Sequence, residues 1–286
     1  MWRFKNRLGA ALKKLIRRAV ELGSRGKVGR YLYAQVLDTA MAQTQVVNHC
    51  DASLVFSTPN WLNKYRAETF STKEPETLDW IDQIPRGSVF WDIGANVGLY
   101  TCYAAKSRNC RVFAFEPSVF NLELLARNIF LNGLTDQVTI VPLPLSDKLA
   151  FSKLNMSSTE WGGALSTFAK SYGYDGKDLD KKFEFSTIGL SIDDAIQLIR
   201  IPRPDYIKMD VDGIEHLILK GGSVVLKCAE GVLVEINDDF PQQALDAANF
   251  LSTAGLVLKD KRRWSESINT PFASTYNQIW RREAVC

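Results

Sequence analysis

Residues 89–101 read Val-Phe-Trp-Asp-Ile-Gly-Ala-Asn-Val-Gly-Leu-Tyr-Thr, an apolar strand that breaks into a glycine-rich turn and then opens a helix. Gly94 and Gly98 allow the backbone to turn tightly and to approach a ligand closely. The free amides and the positive dipole end of the helix start attract negative or polar groups. This combination is typical of a site for a nucleotide-like ligand.

The next apolar run, 111–115, ends on Glu116, eighteen residues after Gly98. An acid at this place can bind the ribose diol of a nucleotide cofactor. The glycine spacing is Asp-x-Gly-x-Asn-x-Gly and not Gly-x-Gly-x-x-Gly, so the pattern favours an adenosyl ligand without phosphate over a dinucleotide. Asp92 would repel a pyrophosphate but attract the amino or sulfonium group of S-adenosylmethionine.

Four motifs in order resemble the FkbM-type methyltransferases, a class I S-adenosylmethionine-dependent family. They are the run 89–101, Phe-Glu-Pro at 115–117, Asn-Ile-Phe-Leu-Asn-Gly at 128–133 and Ile-Lys-Met-Asp-Val-Asp-Gly-Ile-Glu at 207–215. The resemblance covers roughly residues 66–240. It is specific for the family and unspecific for the substrate.

The resemblance implies a set of residues around the cofactor. The glycine turn and the strand after it contribute Asp92, Gly94, Ala95, Asn96, Gly98, Glu116 and Pro117. The end of the third core strand meets the adenine edge in such enzymes, which makes Ser146 and Asp147 candidates for hydrogen bonds to it. For Asp147, capping of the local turn is an equally good interpretation.

Residues 206–216 place three carboxylates, a lysine and a histidine at one strand-to-helix turn. Ligands of open parallel sheets bind at the carboxyl ends of strands, so this turn is expected to face the cofactor's methyl group. A hydroxyl acceptor must lose a proton, and we rank Asp210 or Glu215, then His216, as its base. Asp210 has an alternative role in holding the cofactor or the acceptor. Relatives more often carry Glu where Asp212 stands, so position 212 receives no definite role.

A metal variant of this chemistry is an alternative. Asp210, Asp212, Glu215, Glu235 and Asp238 all fall near strand ends, where Mg²⁺ could bind oxygen ligands. Magnesium is possible there but not favoured, because no tight ligand spacing is present. Zinc is less favoured still, because the chain has two histidines, His49 and His216, and no cysteine pair beside them. No metal ligand is therefore assigned.

The alternation of strands and helices over a chain of 286 residues predicts an α/β, doubly wound sheet. The family resemblance implies a Rossmann-like sheet of seven mostly parallel strands with the last one antiparallel. We expect a basic amphipathic helical extension over residues 1–50, with helix continuing through 31–50, and a methyltransferase domain over 51–286. Its cofactor core would cover about 76–147 and 200–240. The glycines and aromatics of about 149–190 would form an acceptor-pocket insertion.

The overall charge of +3 is unevenly distributed, because residues 1–30 hold ten Lys or Arg and one acid. Their apolar positions recur at helical spacing, which predicts an amphipathic helix. This helix has no apolar segment long enough to span a bilayer and no apolar core typical of a signal peptide. Packing on the domain or on a partner is the leading interpretation, and contact with an anionic membrane is the alternative.

Five cysteines without a Cys-x-x-Cys pair indicate reduced thiols and a cytoplasmic protein, with peripheral contact at the inner membrane face as an option.

The predicted function is O-methylation of a carbohydrate or secondary-metabolite hydroxyl, with a small-molecule or glycan acceptor. Nucleic acid is not an expected partner. The Asn/Asp-Pro-Pro-Tyr/Phe element typical of enzymes that methylate a base amine is absent from the sequence, and only the first 30 residues are basic. A nicotinamide-dependent oxidoreductase is the rival enzyme class, although no Tyr-x-x-x-Lys occurs. A non-catalytic cofactor-binding domain is the third alternative. The sequence carries no signal of oligomeric state.

Overall fold

The computed structural model describes residues 2–264, 267, 268 and 270–283, with side chains described from residue 11 onward. The strands are β1 (Thr44–His49), β2 (Ala52–Ser57), β3 (Val89–Ile93), β4 (Arg111–Phe115), β5 (Val138–Val141), β6 (Ala150–Met156), β7 (Ser166–Phe168), β8 (Phe183–Gly189), β9 (Tyr206–Met209), β10 (Gly231–Asn237), β11 (Leu256–Arg262) and β12 (Thr275–Arg282). The helices are α1 (Trp2–Gly23), α2 (Lys27–Met41), α3 (Trp61–Glu68), α4 (Phe70–Lys73), α5 (Pro75–Asp82), α6 (Leu99–Arg108), α7 (Val119–Leu131), α8 (Ile192–Asp194, continued by a π turn at Ala195–Ile199), α9 (Glu215–Lys220) and α10 (Pro241–Thr253).

The central sheet has seven strands in the order β5-β4-β3-β9-β10-β12-β11. The pairs from β5 to β10 are all parallel, and β12 runs antiparallel to both of its neighbours. This confirms the predicted doubly wound, seven-stranded sheet with its last strand antiparallel. The chain leaves β3 in one direction and returns on its other side at β9, so the crevice of the sheet lies between the carboxyl ends of these two strands.

Two hydrophobic clusters cover the two faces of this sheet. In β4, Phe113 and Phe115 belong to one cluster, whereas Val112 and Ala114 belong to the other. Successive side chains of a strand point to opposite faces, and a strand covered on both sides is therefore apolar throughout. Burial on both faces explains why the organising strands read as continuous apolar runs in the sequence.

The segment before the central sheet differs from expectation. The predicted helix over residues 31–50 is wrong for its second part, because α2 ends at Met41 and Thr44–His49 forms β1. β1 pairs antiparallel with β2 across a two-residue turn at Cys50 and Asp51. The β-branched residues Val46 and Val47 suit this half-buried ladder better than a helix interior.

The region 149–190, expected as an insertion of glycines and aromatics, contains regular structure. β6, β7 and β8 form an antiparallel sheet in the order β7-β6-β8. The glycine-rich loop between β6 and β7 is the part of this region that reaches the crevice. Four cysteines are free thiols, namely Cys50, Cys102, Cys110 and Cys228, while Cys286 lies outside the described residues.

Asn128 of α7 and Asn132, the residue that follows this helix, fasten the β1–β2 hairpin to the domain. The backbone N–H of Ser57 donates to Asn128 Oδ1 over 2.7 Å, and Asn128 Nδ2 donates to the carbonyl of Val97 over 2.7 Å. One turn further along, Asn132 accepts from the N–H of Val55 and donates to its carbonyl. Asn128 therefore joins the hairpin, the helix and the glycine turn at one buried point.

Replacement Asn128→Ala is expected to lower the free energy of unfolding by about 2 to 4 kcal/mol, because it leaves a buried N–H and a buried carbonyl without partners. Urea denaturation measures this loss. Asn48→Ala, which changes an exposed asparagine of β1, is the control and should stay within about 0.5 kcal/mol of the parent. Equal stabilities for the two variants would contradict the fastening role.

Candidate active site

A cavity of about 520 Å³ opens at the carboxyl ends of β3, β9 and β10. Its floor is formed by residues at these strand ends, Asp92, Lys208, Asp210 and Glu235 among them. The walls come from α3 and α4, from the glycine turn, from the loop between β6 and β7, and from the segment before β12. The cavity therefore lies at the switch point of the sheet, where ligands of such folds bind.

The glycine turn adopts the conformation that its sequence requires. Gly94 and Gly98 have φ values of 85° and 82°, and Asn96 between them has φ of 51°. A Cβ on Gly94 would overlap the carbonyl oxygen of Asp210, so this glycine permits β3 and β9 to approach at the cavity. A Cβ on Gly98 would instead meet Leu125 of α7, which makes Gly98 a packing residue behind the turn.

Asp92 lines the cavity floor and has one carboxylate oxygen without a hydrogen-bond partner among the described residues. It is 1% exposed, and its Oδ2 accepts a hydrogen bond of 2.6 Å from Thr101. Its Oδ1 is buried and has no partner among the described residues. Burial raises the pKa of Asp92, although Lys208 and Thr101 oppose the shift. An unpartnered buried carboxylate oxygen is costly unless a ligand donates to it.

Buried charges of both signs meet beside Asp92. Lys208 is 2% exposed and its Nζ lies 3.4 Å from Asp210 and above the ring of Tyr100. Glu74 accepts from Lys73 over 2.7 Å and from the Tyr100 hydroxyl over 3.0 Å. Burial alone would raise the pKa of Glu74, but the charges of Lys73 and Lys208 outweigh it and hold the pKa at about 2. Burial disfavours charged Lys208, yet Asp210, Asp92 and Glu74 raise its pKa above the ordinary value.

Two further acids of the floor have raised pKa values. Burial, followed by repulsion from Asp210, raises the pKa of Asp212 to about 6. Burial and the charges of Asp210 and Glu74 raise the pKa of Glu235 well above its usual value. Asp212 also has φ of 64° and accepts from the N–H of Leu165 over 2.6 Å. Asp212 thus anchors the neighbouring loop, a role that its sequence position did not indicate.

The loop of residues 161–165 closes one side of the cavity. Side chains from several elements hydrogen-bond to its backbone and hold it there. Asn96 and Asn121 both donate to the Gly163 carbonyl over 3.0 Å. Arg66 donates to the Gly162 carbonyl over 2.8 Å, while its buried Nε has no partner among the described residues. The loop therefore joins α3, the glycine turn and α7.

Glu116 lies behind the wall of the main cavity. It is 5% exposed and accepts from the backbone N–H groups of Asn96 and Ser118 over 2.8 and 2.7 Å. Burial raises its pKa to about 7, although these hydrogen bonds oppose the shift. Its neighbour Pro117 lines a second hollow of about 30 Å³, together with Gly94 and apolar side chains of β4 and α9.

The structure brings together only part of the predicted set. Asp92, Gly94, Ala95, Asn96 and Asp210 line the main cavity. Ser146 and Asp147 lie elsewhere: the Ser146 N–H donates to the Leu190 carbonyl, and Asp147 accepts from Lys220 over 3.1 Å.

The two other candidates for the base are turned into the domain. Glu215 is 1% exposed and accepts from the N–H groups of Val211 and Gly213 and from Gln243. Burial raises its pKa to about 7. His216 packs against Phe240, and burial lowers its pKa. Of the three residues ranked as base, Asp210 is the one that lines the cavity.

Within the described residues, three potential metal ligands come within 4.8 Å of one another at His49, Cys50 and Asp82, away from the cavity. No such group is formed, among the described residues, by the acids considered as magnesium ligands, which are Asp210, Asp212, Glu215, Glu235 and Asp238.

The cavity is also lined by residues that sequence reasoning missed, chiefly Lys73, Glu74, Tyr100 and Trp264. The pair Lys73-Glu74 before Pro75 carries no sequence signal beyond that of an ordinary helix start.

This strand order, with a glycine turn at the switch point, defines a Rossmann-like methyltransferase fold. The model of the Methyltransferase FkbM domain matches residues 92–258. The chain belongs to this methyltransferase family.

Known proteins resemble the chain to different extents. The hexuronic acid methyltransferase AglP of Haloferax volcanii is 28% identical over 178 residues, which cover 62% of this chain and 66%, just under two thirds, of that protein. A methyltransferase FkbM from Methylobacillus flagellatus KT is 14% identical, with 91% of this chain and 60% of that one covered and a TM-score of 0.45. The TYW2 protein of M. jannaschii in complex with AdoMet is 12% identical, with 84% and 87% covered and a TM-score of 0.43.

The raised pKa of Glu116 predicts a pH dependence of stability. Between its ordinary value of 4.5 and about 7, the folded protein holds a proton on Glu116 that the unfolded chain releases. The native state binds more protons, so the free energy of unfolding falls as the pH rises through this window. Glu116→Gln should flatten this slope by up to about 1.4 kcal/mol per pH unit, measured by urea denaturation at pH 5, 6 and 7. Glu123→Gln, at an exposed position of α7, should keep the parent slope, and parallel profiles for all three proteins would refute the assignment.

Proposed function

We propose that the protein is an S-adenosylmethionine-dependent O-methyltransferase that acts on a hydroxyl group of a carbohydrate. The observation that carries the proposal is that one cavity is lined by both Asp92, whose buried Oδ1 has no partner among the described residues, and Asp210. The Asp92 carboxylate suits a cationic cofactor, and the Asp210 carboxylate suits the removal of a proton from the acceptor hydroxyl. Membership of the FkbM family and the similarity to a hexuronic acid methyltransferase support the choice of reaction and acceptor class.

The residues of the glycine turn fit the proposed cofactor. Asp92 Oδ1 would accept from its ammonium group and would attract its sulfonium charge. The backbone at Gly94, Ala95 and Asn96 lines the same part of the cavity, and Glu116 stands behind it as the candidate for the ribose hydroxyls. When bound, S-adenosylmethionine supplies an electrophilic methyl group on a sulfonium centre.

The lining of the cavity also suits a sugar. It includes the aromatic side chains of Tyr65, Tyr100, Trp264 and Phe272 beside charged and amide groups. Aromatic faces pack on the apolar faces of sugar rings, while the polar groups orient the hydroxyls. Arg66 adds a buried Nε donor that is free to bind an acceptor oxygen.

Asp210 is the proposed base. Its side chain is 32% exposed toward the cavity, whereas its partner Lys208 is 3% exposed. Lys208 holds the carboxylate in place through a contact of 3.4 Å and compensates its charge. A proton leaving the acceptor hydroxyl would go to a carboxylate oxygen of Asp210. A positioned base contributes about 10²- to 10⁴-fold to such a rate.

The direct test is methyl transfer from radiolabelled S-adenosylmethionine to glycans that contain hexuronic acid, neutral hexose or neither. Isothermal titration with S-adenosylhomocysteine and with NAD accompanies it. We expect the thioether to bind and a sugar to become labelled. Binding of NAD alone would place the protein among the oxidoreductases. Binding of the thioether without labelling of any sugar would refute the carbohydrate acceptor.

Asp210→Asn is expected to lower turnover by about 10²- to 10⁴-fold while the affinity for S-adenosylhomocysteine stays unchanged, because the amide cannot take up the proton. Initial rates and titration calorimetry on the same preparation separate the two effects. Asp136→Asn changes an exposed aspartate and serves as the control. A fully active Asp210→Asn variant would remove this residue as the base.

Asp92→Asn should weaken binding of S-adenosylhomocysteine by about 10- to 100-fold, because a charge-assisted hydrogen bond to the ammonium group is lost. Calorimetry with the thioether measures this change. Thermal unfolding of the variant in the absence of ligand shows whether the fold is intact. Undiminished affinity in a folded variant would show that the cofactor lies elsewhere in the cavity.

A further inference from the structure

Residues 2–41 contain the helices α1 and α2, whose described side chains include large apolar groups exposed to solvent. We call residues 2–41 the N-terminal arm. On α1, the side chains of Leu12, Leu15 and Ile16 are 56%, 65% and 53% exposed. On α2, Val28 and Val36 are 73% and 65% exposed, and within its described bounds this helix has no buried residue. The described side chains of the arm therefore leave this apolar surface uncovered by the α/β domain.

The described part of α1 is divided into an apolar side and a basic side. At 100° per residue, the apolar side chains fall within one half of the helix, at Ala11, Leu12, Leu15, Ile16, Ala19, Val20 and Leu22. The other half carries Lys13, Lys14, Arg17 and Arg18 with one acid, Glu21. Lys13 and Arg18 border the apolar half on its two sides. The cations therefore stand at the edges of the apolar surface as well as opposite it.

We propose that the N-terminal arm lies on the surface of an anionic lipid bilayer, with the apolar half of α1 among the acyl chains and its cations at the phosphate level. A helix with a wide apolar half and a strongly basic polar half is suited to this plane. The long basic side chains extend from the borders of the apolar half to the headgroups. No helix in the described part of the chain is long and apolar enough to cross a membrane, so the arm would rest on the surface.

The charge pattern separates a bilayer from the other partners of an apolar helix face. In a pair of identical arms that meet through their apolar halves, the bordering cations Lys13 and Arg18 of both α1 helices would lie along the contact, and this repulsion opposes self-association. A nucleic acid would occupy the basic half but leave Leu12, Leu15 and Ile16 in water. An anionic bilayer provides acyl chains for the apolar half of α1 and phosphate groups for its basic half.

The experiment is flotation of the full chain with vesicles of phosphatidylcholine alone or mixed with phosphatidylglycerol, at low and at high salt. We expect binding to the anionic vesicles that weakens as salt screens the charges, and little binding to phosphatidylcholine. Equal binding to both vesicle types, or binding to neither, would overturn the proposal.

Matched variants locate the contact. Lys13→Gln/Lys14→Gln should weaken binding to anionic vesicles by about 10- to 30-fold. Lys148→Gln/Lys227→Gln, which removes two exposed lysines of the α/β domain, should change it by less than about threefold. Leu12→Ser/Leu15→Ser/Ile16→Ser should abolish binding at either salt concentration, whereas Val224→Ser/Leu245→Ser, at exposed apolar positions of the domain, should not.

Circular dichroism and thermal unfolding check that each variant is folded, and sedimentation without lipid reports self-association. A parent protein that dimerises without lipid, and becomes monomeric in the Leu12→Ser/Leu15→Ser/Ile16→Ser variant, would assign the apolar half to a second copy and overturn the proposal. Undiminished vesicle binding in the Lys13→Gln/Lys14→Gln variant would also overturn it. None of these measurements depends on the proposed methyl transfer.

Discussion

The buried ammonium group of Lys208 is the interaction on which the site depends. It lies under a cavity whose floor carries the carboxylates of Asp92 and Asp210 and whose wall carries Glu74. Burying like charges together is unfavourable, and one buried cation with raised pKa compensates several of them. Lys208 stands on β9, the strand that forms the switch point with β3. The cation is therefore positioned by the most rigid part of the fold, and the acids that face a ligand are ordered around it.

The cavity wall is held by hydrogen bonds and not by charge compensation. Side chains from other segments bond to the backbone of the loop that forms this wall. Asn96 and Asn121 donate to one carbonyl, Arg66 donates to the preceding one, and Asp212 accepts from the N–H of Leu165. These partners come from four separate segments of the chain. Glu116 takes part indirectly, since it fixes the backbone N–H of Asn96. The wall and the glycine turn consequently form one hydrogen-bonded unit.

The parts of this structure that the sequence predicted are those with short-range causes. The strand, glycine turn and helix around Asp92 follow from local spacing, and Asp210 follows from its place at a strand end. Lys73 and Glu74 could not be assigned, because only tertiary packing brings the segment before α5 to the wall of the cavity. The direction of Glu215 and His216 was equally inaccessible, because each residue of a helix is turned 100° from the last and the strand-to-helix turn sets the starting angle. β1 was mistaken for helix because a short apolar run has no decisive period.

The loop of residues 161–165 is held in the cavity wall through its backbone. Its contacts with Asn96, Asn121, Arg66 and Asp212 use carbonyl oxygens and amide hydrogens, which every residue type other than proline provides. Side chains of the loop can therefore change without loosening the wall that carries them. The two glycines are exceptions: Gly162 has φ of 82° and a Cβ there would lie 2.6 Å from Asn63 Oδ1, while a Cβ on Gly163 would lie 3.0 Å from the Glu160 carbonyl oxygen. Within these five residues, the position of the wall depends on backbone atoms, and variation is open to the side chains.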